Sequence, residues 1–320
     1  MRSSPLGHAR GLELLSGLAN VSAPVLPFRA GGDEFELGPA PWLMGIVNAT
    51  PDSFSDAGLA QTLEARVERA RSLLAAGADL IDVGGESGVT NRPAVDRAEE
   101  ISRVVPLIER LVRDLDARVS VDTYKPAVAR AAIAAGAMVV NDVSGLRDPA
   151  LAEVCAETGA GLVLMHTRAA PKEKLLDAAW DGRVVADVRA FLEQRIEVAL
   201  ERGMAFEQLM LDPGPDFGKT PFQTIAVLRA LPELAAMGRP ILLAVSRKDF
   251  VGALTGREPQ ERGAGTLAAL AHGVRSGAHV LRVHDVEAAA DFLAVHEALG
   301  GATEVDPDLR LEDAVRWNQA

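Results

Sequence analysis

The feature that most constrains this chain is a recurring order of elements. From residue 42 to about 298, short apolar runs alternate with longer segments of helical period. The runs cover residues 42–47, 79–83, 119–121, 138–140, 161–165, 208–211, 241–245 and 279–283. Helical stretches between them include 63–76, 96–114, 126–135, 184–202 and 261–276. Nearly continuous apolar strands imply burial on both faces, as in a parallel sheet covered by helices. Four junctions carry the same pair, Gly77-Ala78, Gly136-Ala137, Gly159-Ala160 and Gly277-Ala278. A glycine there suits a left-handed helix end and a short return to the next strand. Eight such units predict an α/β fold, a closed (β/α)8 TIM barrel over 41–299. An open doubly wound sheet is the alternative that periodicity alone does not exclude.

The ends of the runs favour the barrel. They carry Asn48, Asp82, Asp122, Asn141 with Asp142, His166, Asp212, Ser246-Arg247-Lys248, and Arg282 with His284. A barrel gathers all eight ends on one face, where active sites form from the βα loops. Upstream, residues 25–28 and 34–37 flank Arg-Ala-Gly-Gly-Asp and predict an N-terminal hairpin extension, within 1–40, that plugs the barrel floor. Residues 1–20 read as loosely helical or disordered, and 300–320 as an acidic tail.

Composition narrows the function classes. The 320 residues are 48% apolar and 24% charged, a globular balance, and carry a net charge of -12. Without a basic run to neutralise phosphates, nucleic acid is not expected as a partner. No apolar run reaches the length of a membrane span, and residues 1–15 lack the apolar stretch of a signal peptide, so a cytoplasmic protein is expected. The one cysteine, Cys155, sits in a helical Ala-Glu-Val-Cys-Ala-Glu and reads as a small core residue.

Several tips have side chains suited to a ligand, each with a plainer reading beside it. Asn48 opens a polar loop, 48–58, and offers an oxygen to a metal or a phosphate; the plainer reading is a surface loop. Arg282 and His284 share a side-chain direction because strand residues alternate, so two anion-binding groups point to one spot. A structural arginine paired with a carboxylate is the alternative. Lys248 is a mobile point charge for a ring carbonyl or a phosphate. The segment from Asp212 to Thr220 contains Gly218-Lys219-Thr220, but its glycine spacing does not fit a GxxxxGK[ST] phosphate loop. Asp212 reads instead as a carboxylate for an N–H-rich ring, with Phe217 as a stacking face. Asp122 and Asn141 add an acceptor and a donor for a planar heterocycle, although Asp122 alone is as readily a helix cap.

These segments resemble, in order, the signature series of the dihydropteroate synthases: Gly45 to Gly58, Asp82-Val-Gly-Gly-Glu-Ser87, Ser120-Val-Asp-Thr-Tyr124, Asn141-Asp-Val143, Asp212 to Thr220, Ser246-Arg-Lys248 and Arg282-Val-His-Asp285. The resemblance covers 42 to about 295. It implies a pterin-binding barrel that condenses 6-hydroxymethyl-7,8-dihydropterin diphosphate with 4-aminobenzoate, releasing diphosphate. By position it implies that Asp122, Asn141, Asp212 and Lys248 hold the pterin beside Phe217. It assigns Asn48, Arg282 and His284 to the diphosphate, with Asn48 on its Mg2+. The loops 48–58 and 86–93, the latter with Thr90 and Arg92, would form the aminobenzoate pocket. A homodimer is implied, with the helices after the last two strands as the interface.

The chain departs from the family pattern on the amine side. The second loop reads Gly84-Gly-Glu-Ser-Gly-Val-Thr-Asn-Arg-Pro-Ala94, longer than usual, Asp249 follows Lys248 in place of a serine, Ala57 replaces a glycine, and Met165-His-Thr-Arg168 is altered. Two other functions therefore stand beside the synthase. One is a pterin-binding paralogue with lost or changed condensation. The other is a folate-dependent methyltransferase, which the diphosphate groups Arg282 and His284 and the lack of a cobalamin domain disfavour.

Overall fold

A computed structural model describes residues 23–50, 63–87, 93–173, 175–180, 182–312 and 315–316. The expected helix or disorder at 1–20, the end of the first loop with Ala57, and Thr90 and Arg92 lie outside the described residues.

The strands of the barrel are β3 (Trp42–Asn48), β4 (Leu80–Gly84), β5 (Val119–Asp122), β6 (Val139–Asp142), β7 (Gly161–Met165), β8 (Leu209–Asp212), β9 (Leu242–Leu243) and β10 (Val280–Val283), preceded by the hairpin β1 (Leu26–Ala30) and β2 (Asp33–Leu37). The covering helices are α1 (Leu63–Ala75), α2 (Arg97–Leu115), α3 (Pro126–Ala134), α4 (Ala150–Thr158), α5 (Val184–Glu201), α6 (Pro221–Arg229), α7 (Leu231–Ala235), α8 (Asp249–Thr255), α9 (Gly263–Arg275) and α10 (Val286–Gly300). All eight barrel strands are parallel, in the order β8-β7-β6-β5-β4-β3-β10-β9. A parallel bridge between Leu211 and Ile241 joins β8 to β9 and closes the ring, with Leu211 N donating to Pro240 O at 2.9 Å. The closed sheet, not the open one, is therefore the fold. The seventh run pairs over fewer residues than the sequence predicts: Arg247 takes a left-handed φ of 58°, and the chain turns into α8 soon after Leu243.

Alternation along the strands separates two apolar sets. Leu43, Ile81, Val119, Leu162, Leu209, Leu243 and Leu281 point outward to the helices. Their neighbours Met44, Leu80, Val139, Val163, Met210, Leu242 and Val280 fill the barrel floor. The hairpin adds Phe28, Ala30 and Leu37 to that floor and seals it. It approaches so closely that a Cβ at Gly161 would lie 2.6 Å from Cζ of Phe28. Buried polar groups fasten the seal. His279 donates from Nε2 to Pro24 O at 2.9 Å. Arg239 donates to Leu209 O at 3.1 Å and to Pro27 O. The repeated Gly-Ala junctions end helices as their pattern predicts, with φ of 100°, 110°, 74° and 94° at Gly77, Gly136, Gly159 and Gly277. Among the described residues no helix is long and apolar enough to cross a membrane.

Candidate active site

Two residues further along the same inward-facing positions, the apolar floor gives way to charge. The floor residues Leu80, Val139, Met210 and Val280 are followed on the same face by Asp82, Asn141, Asp212 and Arg282, while Asp122 follows Ser120 on β5. Arg282 Nε donates to Asp82 Oδ2 at 2.6 Å, and its Nη2 donates to Asp122 Oδ2 at 3.0 Å. Asn141 Nδ2 donates to the same Asp82 oxygen at 3.1 Å. Four strands, β4, β5, β6 and β10, are thereby joined at their tips.

This network answers the plainer reading of Arg282 in an unexpected way. The arginine is paired with carboxylates, yet the two bonds use only two of its five N–H donors. Its side chain keeps 19% exposure and the Asp122 side chain 23%, whereas Asp82 is fully buried. Asp82 therefore anchors the arginine from below, and Asp122 meets it at the level of the opening. The sequence marks Asp82 as a strand tip without giving it this part, because its partner lies 200 positions away. Asp82 Oδ1 and Ser120 Oγ are buried with no partner among the described residues, on residues that face each other across β4 and β5. A buried water would satisfy both. Asp142, next to Asn141, turns the other way and accepts from the backbone N–H groups of Ser144 and Leu146, so it shapes the loop.

Asp212 and Lys248 stand on the other side of the opening. Burial pushes Asp212 up to about 6, against the pull of the Gly214 N–H, Lys248 and Lys219. Burial likewise raises Asp122, with Arg282 opposing and Asp82 adding to the rise. Lys248 is driven down by burial, with Asp216 and Asp212 pulling it back. Its Nζ lies 4.2 Å from the centre of the Phe217 ring, a cation–π contact, and is near enough to Asp212 to feel its charge. His284 exchanges hydrogen bonds with Ser246: its Nδ1 is 3.0 Å from the hydroxyl, and its backbone N donates to that oxygen at 3.3 Å. Burial, helped by Arg282, Arg247 and Lys248, pushes His284 down to about 3. The imidazole is therefore neutral in the unliganded protein, a distinction that spacing does not carry. Ser246, two positions before Lys248 and given no role by the sequence, is what orients it.

Asn48 stands at the tip of β3 near Gly84 and Asp122: a Cβ on Gly84 would lie 3.7 Å from Asn48 Oδ1 and from Asp122 Cβ. Among the described residues no group of three or more His, Cys, Asp or Glu is arranged to hold a metal ion. A single carboxamide oxygen fits magnesium that shares its shell with substrate phosphate and water.

The amine-side departures divide. Asp249 pairs with Arg262 at 3.0 Å and has an 88% exposed side chain, so it faces solvent at the start of α8. The altered second loop is clamped at its base. Glu86 accepts from Val95 N at 2.8 Å, from Tyr124 Oη at 3.1 Å and from Lys125 Nζ at 2.7 Å. Lys172 adds an ion pair to it at 3.2 Å.

A family model described as pterin binding enzyme matches residues 44–284, the span from the first barrel strand to His284. Dihydropteroate synthase of Synechocystis sp. is 39% identical over 292 residues, 90% of this chain and 99% of that protein. The chain belongs to the dihydropteroate synthase family. The Bacillus subtilis dihydropteroate synthase is likewise 39% identical, over 80% of this chain and 88% of its own. The solved Xanthomonas albilineans dihydropteroate synthase with 4-aminobenzoic acid superposes with a TM-score of 0.79 at 44% identity, covering 86% of this chain and 98% of that one. A pterin-binding barrel with the family's full extent is thus in place, and the methyltransferase reading falls away.

Proposed function

We infer that the chain condenses 6-hydroxymethyl-7,8-dihydropterin diphosphate with 4-aminobenzoate to give 7,8-dihydropteroate and diphosphate. The observation that carries this reading is the network Asp82–Arg282–Asp122 with Asn141, set opposite Asp212 and Lys248 over a sealed apolar floor. A relative from Xanthomonas albilineans has been solved with 7,8-dihydropteroate, at 44% identity and a TM-score of 0.75.

The residues divide the work by charge. Asp212 and Asp122 accept from the pterin N–H groups, and Asn141 both donates and accepts. Lys248 donates to the ring carbonyl, above Phe217. In the reaction the C–O bond to diphosphate breaks, a bond forms from the amine nitrogen to the freed methylene carbon, and the nitrogen then loses one proton to solvent or to the departing diphosphate. Positive charge on the pterin is favoured by the carboxylates; negative charge on the departing diphosphate is met by the free N–H groups of Arg282 and by the His284 imidazole. Magnesium, carried on the diphosphate and ligated by Asn48, would neutralise part of that charge when bound. No enzyme nucleophile is needed. The Cys155 thiol is buried in α4 and pushed up to about 12 by burial, which makes it inert. The loops 48–58 and 86–93, with Thr90 and Arg92, would complete the amine pocket.

We also propose a homodimer formed through the helices after the last two strands. Exposed Leu254 on α8 and exposed Val295 and Leu299 on α10 support it, and the mass in solution tests it.

The test of the reaction is incubation with Mg2+, the pterin diphosphate and 4-aminobenzoate. Amine-dependent release of diphosphate in step with dihydropteroate is the expected result. Pterin binding without condensation would leave the paralogue reading in its place.

A further inference from the structure

Behind Asp212 lies a buried chain of polar groups that the condensation has not so far used. Lys219, on the loop between β8 and α6, is only 2% exposed. Its Nζ lies 2.7 Å from His166 Nδ1. It also donates to Gly214 O at 2.8 Å, with Phe217 O at 3.2 Å and His166 O at 3.3 Å. His166 itself is fully buried, stacked on Trp180 and edge-on to Phe191. Its second nitrogen, Nε2, is 3.2 Å from Asp187 Oδ2 on α5.

The direction of these bonds follows from the groups themselves. The three backbone carbonyls around Lys219 Nζ only accept, an environment that favours the ammonium, and as a donor toward His166 Nδ1 it leaves the ring proton on Nε2, facing Asp187. Burial and the Lys219 charge push His166 down to about 2, which keeps the ring neutral. Burial lowers Lys219 to about 7, while Asp212, Asp216 and Asp187 favour its charge and Lys248 opposes it.

The far end of the chain touches the proposed pterin slot twice. Gly214, whose carbonyl accepts from Lys219, donates its N–H to Asp212 Oδ1 at 2.7 Å. Phe217, whose carbonyl also accepts, carries the ring under Lys248. The loop is pressed against the tip of β7 so tightly that a Cβ on Gly214 would lie 2.0 Å from His166 O. One ammonium thus fixes both the partner of the carboxylate and the stacking ring.

We propose that Lys219 and His166 are positioning residues of the condensation: His166, oriented by Asp187, directs the Lys219 ammonium that holds Asp212 and Phe217 in place for the pterin. This rests on the synthase reading given above.

The test separates a positioning role from a purely structural one. Lys219→Met keeps the buried stem and removes the head. The expected result is a tenfold or larger rise in KM for the pterin diphosphate, with KM for 4-aminobenzoate within twofold of the parent. His166→Asn offers a carboxamide acceptor near the position of Nδ1 and is expected to restore most of the pterin affinity that His166→Leu loses. Asp187 is 36% exposed, so Asp187→Leu is expected to fold. It should raise the pterin KM about threefold and broaden the His166 imidazole 15N signals through mixed tautomers. A pterin KM unchanged in both Lys219→Met and Asp187→Leu, or a loss confined to melting temperature, overturns the proposal. If Lys219→Met does not fold, the Asp187→Leu result decides alone. Failure of the synthase reading would show separately, as absent condensation in the unaltered protein.

Discussion

The two ends of this barrel are built from the same strands and the same inward-facing positions, yet they differ in almost every physical respect. At the floor, Met44, Leu80, Val163, Met210 and Val280 meet Phe28 and Leu37 of the hairpin. The polar groups there, His279 and Arg239, spend their donors on backbone carbonyls. At the opposite mouth, two positions on, Asp82, Asp122, Asn141, Asp212 and Arg282 face one another with buried oxygens left over and titrations moved by burial. Closed packing at one end supplies rigidity, and the other end is thereby able to hold like charges close together. Local rules are broken where chemistry is done.

Replacing Arg282 strains this comparison most. Arg282→Leu leaves Asp82 buried without its cation, and loss of one partner of a buried pair costs about 3–5 kcal/mol. We expect kcat/KM to fall at least about a thousandfold, since on the proposed reading the group also meets the departing charge, and the denaturation midpoint to drop with it. Unaltered turnover per folded molecule would make the arginine structural alone.

The floor should respond in the opposite sense. Phe28→Ala opens a cavity under β7 and should cost about 3–5 kcal/mol of stability, with kcat/KM of the folded fraction within about twofold. Urea unfolding beside steady-state assays checks it; a large selective loss of activity would join the two ends in function.

Asp212 gives a pH signature. The proposed role needs its raised carboxyl ionised, so kcat/KM should fall as pH drops through about 6. Asp122 is raised as well, so the acid limb belongs to the pair. The linked stability runs the other way. In the folded state Asp212 holds its proton up to about 6, against about 3.9 for an ordinary aspartate, so the free protein loses stability as pH rises through that window. Asp212→Asn should make this decline shallower, leaving the part that belongs to Asp122, and lower kcat/KM about a hundredfold. An acid limb below pH 4 would contradict the buried carboxylate.

The smallest effect is expected at Ser246. Ser246→Ala removes the partner of His284 Nδ1, worth about 1 kcal/mol. A rise of about fivefold in KM for the pterin diphosphate is expected, measured at saturating amine.

Much of this contrast was legible in the sequence. The apolar runs and their polar tips announce a barrel because burial on both faces suppresses alternation until the strand emerges from the core. The pairing of Asp82 with Arg282 was not legible, since two strands 200 positions apart become near neighbours only when the ring closes. Nor was the neutrality of His284, which depends on burial and on the cations around it. Lys219 was hidden for another reason: its partners are mainly backbone carbonyls, which leave no trace in residue type. Asp249 stood out as a departure in the amine region, but its side chain turns to Arg262 and solvent.

The central claim, that the charged mouth is the reaction chamber and the floor its closed support, is tested most directly by the crystal structure of the protein with the pterin diphosphate. The account predicts the pterin between Asp122, Asn141, Asp212 and Lys248, with the diphosphate against Arg282 and His284. A ligand seated elsewhere, with Arg282 still bound to both carboxylates and facing no phosphate, would contradict it.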